Sequence, residues 1–339
     1  MTAAMTESQP SMAAQQDTLI RLQNLTVAYG DVVAVDGVDL TIGAGEILGL
    51  AGESGCGKTT VANSIMHILR PPARIAGGGI LFRGDDLTAQ SAEELRRHRW
   101  RNVSMVFQSA MNSLNPVMRV GDQFVDMMRA HERISKSGAL DRAGELLDLV
   151  GIDRRRIRAY PHELSGGMRQ RVIIAMALAL RPELVLMDEP TTALDVVVQR
   201  EILQQIRDLQ AELGFAVLFI THDLSLLFEF AHRIAIIYAG EIVEEAPAAR
   251  LRDEARHPYT LGLIRSFPSL TGPRERMTGI PGSPPDLSSP PHGCRFHPRC
   301  PHCTADDTAL YRLQTTVRPV LRDIAPAHRV ACHLVEQRG

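Results

Sequence analysis

The feature that most constrains this chain is the string GESGCGKT at residues 52–59, which lies between a predicted strand and a predicted helix. The strand is expected over residues 46–51 and the helix over residues 59–69. Glycines allow backbone N–H groups to converge on an anion, so strand, glycine loop and helix together predict a phosphate-binding loop. Lys58 is then expected to reach the β- and γ-phosphates of a nucleotide, and Thr59 to bind Mg²⁺.

All residues of this loop are candidates for contact with ATP: Gly52, Glu53, Ser54, Gly55, Cys56, Gly57, Lys58, Thr59 and Thr60. The thiol of Cys56 has two interpretations. It is either a redox-sensitive group or only a small spacer, and the second interpretation is favoured.

A second glycine string, LSGGM at residues 164–168, lacks the lysine and threonine needed to hold a whole nucleotide with its metal. Its candidate phosphate contacts are Ser165, Gly166 and Gly167. The two strings cannot serve the same nucleotide, so the second is expected to face the nucleotide of another subunit. The chain is therefore predicted to be half of a two-part ATP-dependent assembly.

Asp188 and Glu189 follow a predicted buried strand, LVLM at residues 184–187. A carboxylate at this position is expected to hold the Mg²⁺ of a phosphate-loop ATPase, which assigns that role to Asp188. The adjacent Glu189 is expected to polarise the attacking water. Phosphoryl transfer to water depends on positioning and charge neutralisation, and these side chains supply both.

Apolar strands alternate with helices along residues 18–245, which predicts an α/β fold with a mainly parallel sheet. An antiparallel β subdomain is expected near the start of this domain, and a helical insert at about residues 109–165. Residues 246–339 form a proline-rich, loop-rich C-terminal extension with a cysteine cluster. Residues 1–17 lack apolar periodicity and are expected to be a disordered tail.

The sequence contains no stretch long enough to span a bilayer, and its longest apolar run covers residues 172–180. The N-terminus has no secretory signal pattern. The net charge of -2 does not favour nucleic acid as a partner. A cytosolic location is expected, with any membrane role mediated by partners.

The order of the motifs resembles the nucleotide-binding subunit of an ATP-binding cassette (ABC) transporter over roughly residues 19–245. The matching features are Tyr29, GESGCGKT, Gln108, LSGGM, LVLMDEP, Ala193-Leu194-Asp195 and His222. The resemblance implies that Tyr29 stacks on adenine, and that Gln108 senses Mg²⁺ and links to the helical subdomain. It also implies that Asp195 couples two ATP sites and that His222 holds the γ-phosphate. Ser165 and Gly167 would contact the ATP of the opposing subunit.

One residue departs from the pattern of this family. Met168 stands where the family usually has glutamine. Because this position follows the serine and glycines that contact phosphate, little loss is expected. Glu189 and His222 are both present, so the chain's own site is expected to hydrolyse ATP.

Further strings resemble the dipeptide and oligopeptide importer branch of the family. They are Ser113-Leu114-Asn115-Pro116-Val117-Met118, the LSGGMRQR form of the second glycine string, His257-Pro258-Tyr259-Thr260, Ile280-Pro281-Gly282, Pro284-Pro285 and the segment Cys294–Pro301. The last four lie in the C-terminal extension. Related extensions also occur in nickel importers, so the solute stays open.

The C-terminal extension carries four cysteines with the spacing C-x5-C-x2-C-x28-C. They are Cys294, Cys300, Cys303 and Cys332. Four thiolates can hold a 4Fe-4S cluster or close a tetrahedral zinc site, and the spacing does not discriminate between them. Relatives with this extension suggest the iron–sulfur cluster, and free thiols are the third alternative. A metal would cross-link a segment that is poor in apolar residues.

The sequence thus predicts an ATP-hydrolysing subunit that powers import of dipeptides or oligopeptides. The expected partners are a second ABC ATPase, two membrane permease subunits and an extracytoplasmic solute-binding protein. The second ATPase is expected to be a paralogue, and the helical insert to dock on a permease. The alternatives are the ATPase of a nickel or other solute importer, and a soluble cassette ATPase that has no role in transport.

Overall fold

The structure is a computed structural model that describes residues 18–108, 113–192, 194–266, 279–304 and 307–336. The tail predicted at residues 1–17, the first four residues of the predicted insert and Ala193 lie outside the described residues. Two sheets organise the described chain, one of four strands and one of eight. Their strands are β1 Thr18–Tyr29, β2 Val32–Gly43, β3 Ile47–Ala51, β4 Ala73–Phe82, β5 Asp85–Asp86, β6 Val103–Val106, β7 Leu184–Asp188, β8 Ala216–Thr221, β9 Arg233–Tyr238, β10 Glu241–Pro247, β11 Arg322–Ala325 and β12 His328–Val330.

The eight-stranded sheet has the order β11-β12-β10-β9-β3-β8-β7-β6 and forms the centre of the molecule. Strands β9, β3, β8, β7 and β6 run parallel. Every residue of β3, β7 and β8 is buried, as continuous apolar runs predict for a sheet covered on both faces. Alternate residues of β3 enter two separate apolar cores. Ile47 faces one core, and Leu48 and Leu50 face the other.

The four-stranded sheet, in the order β2-β1-β4-β5, is antiparallel throughout and confirms the predicted β subdomain. Its apolar residues, among them Leu22 and Val38, share one core with Leu48 and Leu50 of β3. This sheet therefore covers one face of the central sheet and sets the position of Tyr29 beside the phosphate-binding loop.

Helices cover the opposite face and build the insert. The α-helices are α1 Lys58–Ile65, α2 Ala92–His98, α3 Val120–His131, α4 Lys136–Leu149, α5 Gly166–Leu178, α6 Val196–Leu213, α7 Leu224–Phe230, α8 Ala248–Glu254, α9 Pro258–Arg265, α10 Thr308–Thr316 and α11 His333–Glu336. Short 3₁₀ helices occur at Leu87–Ala89, Arg154–Arg158, Pro161–Glu163 and His297–Arg299.

The predicted helical insert contains α3 and α4, which pack against each other, and α4 also packs on α5. Phe124 and Met128 of α3 are buried, as their helical spacing predicts. The second glycine string begins α5, so the insert delivers that string to the surface. In the described part of the chain, no helix combines the length and apolar character needed to cross a membrane.

The C-terminal region is joined to the central sheet more closely than its composition indicates. Strand β12 pairs antiparallel with β10, and β11 pairs with β12, so both extend the central sheet. Strands β9 and β10 form a hairpin that turns at Ala239 and Gly240, which have φ values of 47° and 86°. Both residues therefore adopt the left-handed backbone that tight hairpins require.

Candidate functional site

The phosphate-binding loop lies at the carboxyl end of β3 and leads into α1, as the sequence predicts. Gly57 precedes the helix with a φ of 107°, which glycine adopts without strain. A Cβ atom on Gly52 would lie 2.2 Å from the carbonyl oxygen of Ile237, so only glycine fits there. The Lys58 ammonium donates to the carbonyl oxygens of Gly52 at 2.7 Å and of Glu53 at 2.8 Å. The lysine thus lies against the loop that it is expected to serve.

Thr59 and Asp188, which together with Gln108 are the residues predicted to hold Mg²⁺, contact each other across two elements. Thr59 is in the first turn of α1, and Asp188 ends β7. Burial raises the pKa of Asp188, and the hydrogen bond from Thr59 opposes that rise. A hydroxyl beside a buried carboxylate fits Mg²⁺, which proteins hold through one or two carboxylates together with substrate phosphates.

Glu189 is the centre of a polar cluster built from three strand ends. Its Oε2 accepts from Gln108 Nε2 at 3.1 Å and from the Thr192 hydroxyl at 3.1 Å. Its Oε1 lies 3.1 Å from His222 Nδ1. The structure therefore brings together the three residues predicted from the sequence to be catalytic. Gln108 follows β6, Glu189 follows β7 and His222 follows β8.

The backbone of Glu189 has a φ of 46°, an uncommon value for a residue with a side chain. Its N–H donates to the carbonyl oxygen of Ile220 at 2.9 Å, which fixes this turn against β8. The strained turn directs the carboxylate toward Gln108 and His222, away from the path of the strand. Such strain is found where a side chain must be held in one orientation.

Tyr29 lies at the end of β1 and is 38% exposed. Its hydroxyl is 3.3 Å from the Thr60 hydroxyl in α1. The ring is therefore beside the phosphate-binding loop and is open to solvent, as stacking on a base requires.

The second glycine string lies on different elements from the first. Ser165 is exposed and caps α5, where its hydroxyl accepts from the Met168 N–H at 3.3 Å. Asp195 caps α6 and accepts from the N–H groups of Val197 and Val198 at 3.1 and 3.0 Å. The structure thus places Ser165 and Asp195 at helix N-termini, which favour an anion.

The metal centre predicted at the four C-terminal cysteines is not supported. All five cysteines of the chain are free, and the described residues contain no group of three or more metal-binding side chains close enough to hold an ion. Burial raises the pKa of Cys294 to about 12 and of Cys332 to about 11. Burial also raises the pKa values of Cys300 and Cys303. A metal ion bound here would therefore have to displace the protons of these thiols.

Cys56 is buried in the phosphate-binding loop, 3.7 Å from Lys58 Nζ. Burial raises the pKa of its thiol, and the nearby ammonium opposes that rise. A buried thiol of raised pKa is unreactive, which favours the spacer interpretation.

Sequence reasoning missed the contacts that the C-terminal region makes with the phosphate-binding loop. Glu53 was predicted to contact the nucleotide, but its N–H donates to the Tyr259 hydroxyl and its carboxylate accepts from Arg299. Both partners lie in strings that resemble the importer branch, so a signal for their importance was present. These strings give no indication of what Tyr259 and Arg299 contact.

Two family models match the chain. The model for the ABC transporter family matches residues 35–192. The model for the oligopeptide/dipeptide transporter C-terminal region matches residues 243–306. The first match contains the phosphate-binding loop and the Glu189 turn, and the second contains Tyr259 and Arg299.

Similar proteins with curated descriptions include oligopeptide and dipeptide transport subunits. The oligopeptide transport ATP-binding protein OppD of Escherichia coli K12 is 42% identical over 338 residues, which is 98% of each chain. OppD of Bacillus subtilis 168 is 46% identical over 286 residues, covering 82% of this chain and 80% of its own length. The dipeptide transport ATP-binding protein DppD of Bacillus subtilis 168 is 41% identical over 330 residues, covering 95% of this chain and 96% of its own length.

Solved structures with the same fold cover about two thirds of the chain. The dimeric structure of MJ0796, a bacterial ABC transporter cassette, has a TM-score of 0.60 and 30% identity, and covers 68% of this chain and 99% of its own. CbiO1 of Clostridium perfringens, part of the ABC transporter complex CbiONQ, has a TM-score of 0.62 and 26% identity, and covers 70% of this chain and 92% of its own.

Proposed function

This chain belongs to the ABC transporter family, in its oligopeptide and dipeptide transport branch, and we propose that it is the ATP-hydrolysing subunit that powers peptide import. The observation that carries the proposal is the assembly of Gln108, Glu189 and His222 at three adjacent strand ends beside the Thr59–Asp188 pair. The relatives described above transport peptides, which favours peptides over the nickel alternative.

The residues of the chain have separable roles in this reaction. Lys58 and the loop amides bind the phosphates of ATP, and Thr59 and Asp188 would hold Mg²⁺, which neutralises charge on the phosphates when it is bound. Glu189 accepts a hydrogen bond from the attacking water and orients it. Gln108 and His222 hold the Glu189 carboxylate in place, and Gln108 would also sense Mg²⁺ while His222 would hold the γ-phosphate. Positioning of this kind supplies most of the catalysis in phosphoryl transfer.

The second glycine string is proposed to act on the ATP of a partner ATPase. Ser165 is exposed at the N-terminus of α5, and the first N–H groups of a helix have no partner within the helix and favour an anion. MJ0796, which has the same fold, forms a dimer. Two head-to-tail subunits would enclose two ATP molecules, each held by Lys58 of one subunit and Ser165 of the other. We assign the second subunit to a paralogue, so the ATPase pair is a heterodimer.

The remaining partners are a pair of membrane permeases and an extracytoplasmic solute-binding protein. The helical subdomain formed by α3, α4 and α5 would dock a permease, since Gln108 connects it to the reacting centre. Val117, in the string that resembles the importer branch, is 80% exposed and is suited to such a contact. The protein would then lie at the cytoplasmic face of the membrane without entering it.

A metal centre at the four C-terminal cysteines is also part of the proposal, with a 4Fe-4S cluster preferred over zinc. Its support is that Cys300 and Cys332 lie close enough to Cys294 to raise the pKa of its thiol, and that Cys300 likewise raises the pKa of Cys332. Metal binding would have to draw these thiols together and release their protons. Iron, sulfide and zinc analysis of full-length protein purified without oxygen tests it, and protein containing none of the three contradicts it.

The test of the main proposal is ATP hydrolysis by the complex purified from membranes through a tag on this chain. The permeases and a second ATPase should be recovered, and a mixture of dipeptides and oligopeptides with the solute-binding protein should stimulate hydrolysis. Nickel ions serve as the competing substrate. Stimulation by nickel but not by peptides contradicts the assignment.

Glu189→Gln tests the catalytic role of Glu189, because it replaces the carboxylate with an amide of similar shape. It is expected to bind MgATP with unchanged affinity while hydrolysis falls by about 100-fold or more, because the carboxylate that orients water is lost. It should also accumulate as an ATP-bound ATPase pair, which size-exclusion chromatography detects. Unchanged turnover would remove Glu189 from the catalytic role.

A further inference from the structure

A buried arginine of the C-terminal region, Arg299, reaches the phosphate-binding loop. Its guanidinium donates two hydrogen bonds to the carboxylate of Glu53, at 2.6 and 2.9 Å. The side chain of Arg299 is 5% exposed and that of Glu53 is 25% exposed. A bidentate pair of this kind fixes direction as well as distance. While the pair is intact, the Glu53 side chain points to the C-terminal region.

Arg299 is itself held from several sides. Its Nε donates to the carbonyl oxygen of Pro281 at 2.8 Å, and its terminal nitrogens lie 3.4 Å from the carbonyl oxygen of Gly282 and 3.3 Å from the Tyr238 hydroxyl. The hydrogen bond with Glu53 is the main reason that the pKa of Arg299 is raised. The arginine is therefore an anchored, charged group and not a mobile surface side chain.

Tyr259 holds the backbone of the same loop residue. Its hydroxyl accepts from the Glu53 N–H at 2.8 Å. The ring is fully buried, with its centroid 4.5 Å from that of Tyr238 and 5.5 Å from that of Phe296. Burial raises the pKa of Tyr259, so the hydroxyl stays protonated. The rings of Tyr259, Tyr238 and Phe296 thus pack together behind the loop and fix the position of the Tyr259 hydroxyl.

All the polar groups of Glu53 are engaged. Tyr259 accepts from its N–H, Arg299 donates to its carboxylate, and Lys58 Nζ donates to its carbonyl oxygen at 2.8 Å. Movement of Arg299 would therefore shift the residue that contacts the lysine of the ATP site. Gly55 has no atom within 4 Å of its Cβ position, so the loop can adjust there and an external support can set its shape.

We infer that Arg299 and Tyr259 are positioning residues for the phosphate-binding loop, through which the C-terminal region sets the affinity of the ATP site. The inference rests on the proposed function only in taking MgATP as the ligand. It gives the C-terminal region a role at the reacting centre in addition to its pairing with β10.

The competing explanation is that Arg299 only attaches the C-terminal region to the core. Another arginine allows the two to be separated. Arg329 of β12 pairs with Glu245 of β10, so it also joins the C-terminal region to the core, but at the edge of the sheet. Arg329→Gln therefore removes an attachment and leaves the contacts of Glu53 in place.

The experiment compares Arg299→Gln, Arg299→Lys, Tyr259→Phe and the control Arg329→Gln in the full chain. MgATP affinity is measured by fluorescence titration with a labelled ATP and competition by MgATP. KM and kcat for MgATP are measured in the purified transporter complex, and melting temperatures are recorded in parallel. Tyr259→Phe keeps the ring contacts and removes only the acceptor of the Glu53 N–H, so it stays informative if Arg299→Gln fails to fold.

Arg299→Gln and Tyr259→Phe are expected to raise the Kd and KM for MgATP by about tenfold, a change of about 1.4 kcal/mol, with kcat changed less than about twofold. Arg299→Lys should recover part of the affinity. Arg299→Gln combined with Glu53→Gln should weaken binding by less than the product of the single effects, because the two residues act as a pair.

The inference is overturned if Arg299→Gln and Tyr259→Phe bind MgATP as the wild type does, or if Arg329→Gln raises KM by as much as Arg299→Gln. Either result would mean that Arg299 only attaches the C-terminal region to the core. Failure of the wild-type chain itself to bind MgATP would instead contradict the proposed function, so the two failures are distinguishable.

Discussion

His257 is expected to make the stability of this protein depend on pH, because the side chain is buried in a neutral form. It is 1% exposed and caps α9, where its Nδ1 accepts from the Tyr259 N–H at 3.0 Å. Protonation at Nδ1 would remove that acceptor and would place a charge beside the ring of Phe296, 5.7 Å away. Burial lowers the pKa of His257 to about 4, although the nearby Glu244 opposes the shift.

The size of the effect follows from the difference between this pKa and the ordinary histidine value of 6.5. Between the two values the unfolded chain binds a proton that the folded chain does not, so stability falls as the pH is lowered through that window. The full difference corresponds to about 3 kcal/mol, of which about 2 kcal/mol is lost between about pH 7.5 and pH 5. Above the upper value both states are neutral, and the effect vanishes.

The test substitutes His257→Asn and compares denaturation midpoints with the wild type across this pH range. Asparagine is a good helix cap, so the substitution keeps an acceptor for the Tyr259 N–H and removes the titration. The variant is expected to be less stable at about pH 7.5, because it fills less of the buried space. The difference in the free energy of unfolding between the wild type and the variant should shrink by about 2 kcal/mol toward pH 5. Parallel curves for the two proteins would refute the assignment of this pH dependence to His257.

Three further predictions concern substitutions at Gly52, Glu244 and Asp195. Gly52→Ala should abolish MgATP binding measured by titration, because its Cβ would lie 2.2 Å from the carbonyl oxygen of Ile237, and wild-type affinity would contradict the packing. Glu244→Gln should cost about 2 kcal/mol, seen as a lower denaturation midpoint, because the fully buried carboxylate accepts from His328 at 2.9 Å and from two backbone N–H groups. Asp195→Ala should cost about 1 kcal/mol by the same measurement, because the cap of α6 is lost, while Asp195→Asn, which keeps the cap, should cost less.

The central fold is predictable because its signals are local. Continuous apolar runs at residues 47–50, 184–187 and 216–220 indicate buried parallel strands, and all three form the centre of the sheet. The helix ends were less accurate. The helix predicted over residues 59–69 ends at Ile65, because His67 adopts a left-handed backbone with a φ of 49° that an α-helix cannot continue through.

The strands of the C-terminal region were not predicted, for a physical reason. Strands β11 and β12 have four and three residues and include arginine, aspartate and histidine, so they lack the alternation that marks a strand. Their formation depends on the free edge of β10, which is known only once the core has folded. Burial of His328 against Glu244 then secures β12 to that edge.

The site also combines contacts that the sequence can predict from local signals with contacts that depend on the folded chain. The loop at residues 52–59 and the residues that follow β6, β7 and β8 meet because parallel strands place their carboxyl ends at one edge of the sheet. No such rule brings Tyr259 and Arg299 to Glu53, which is 206 and 246 residues away in the chain. Glu53 occupies a position that the glycine-loop motif leaves unspecified. Only the folded structure therefore shows what its side chain contacts. The ATP site is therefore a product of both regions: the core supplies the reacting groups, and the C-terminal region supports the loop that holds the phosphates.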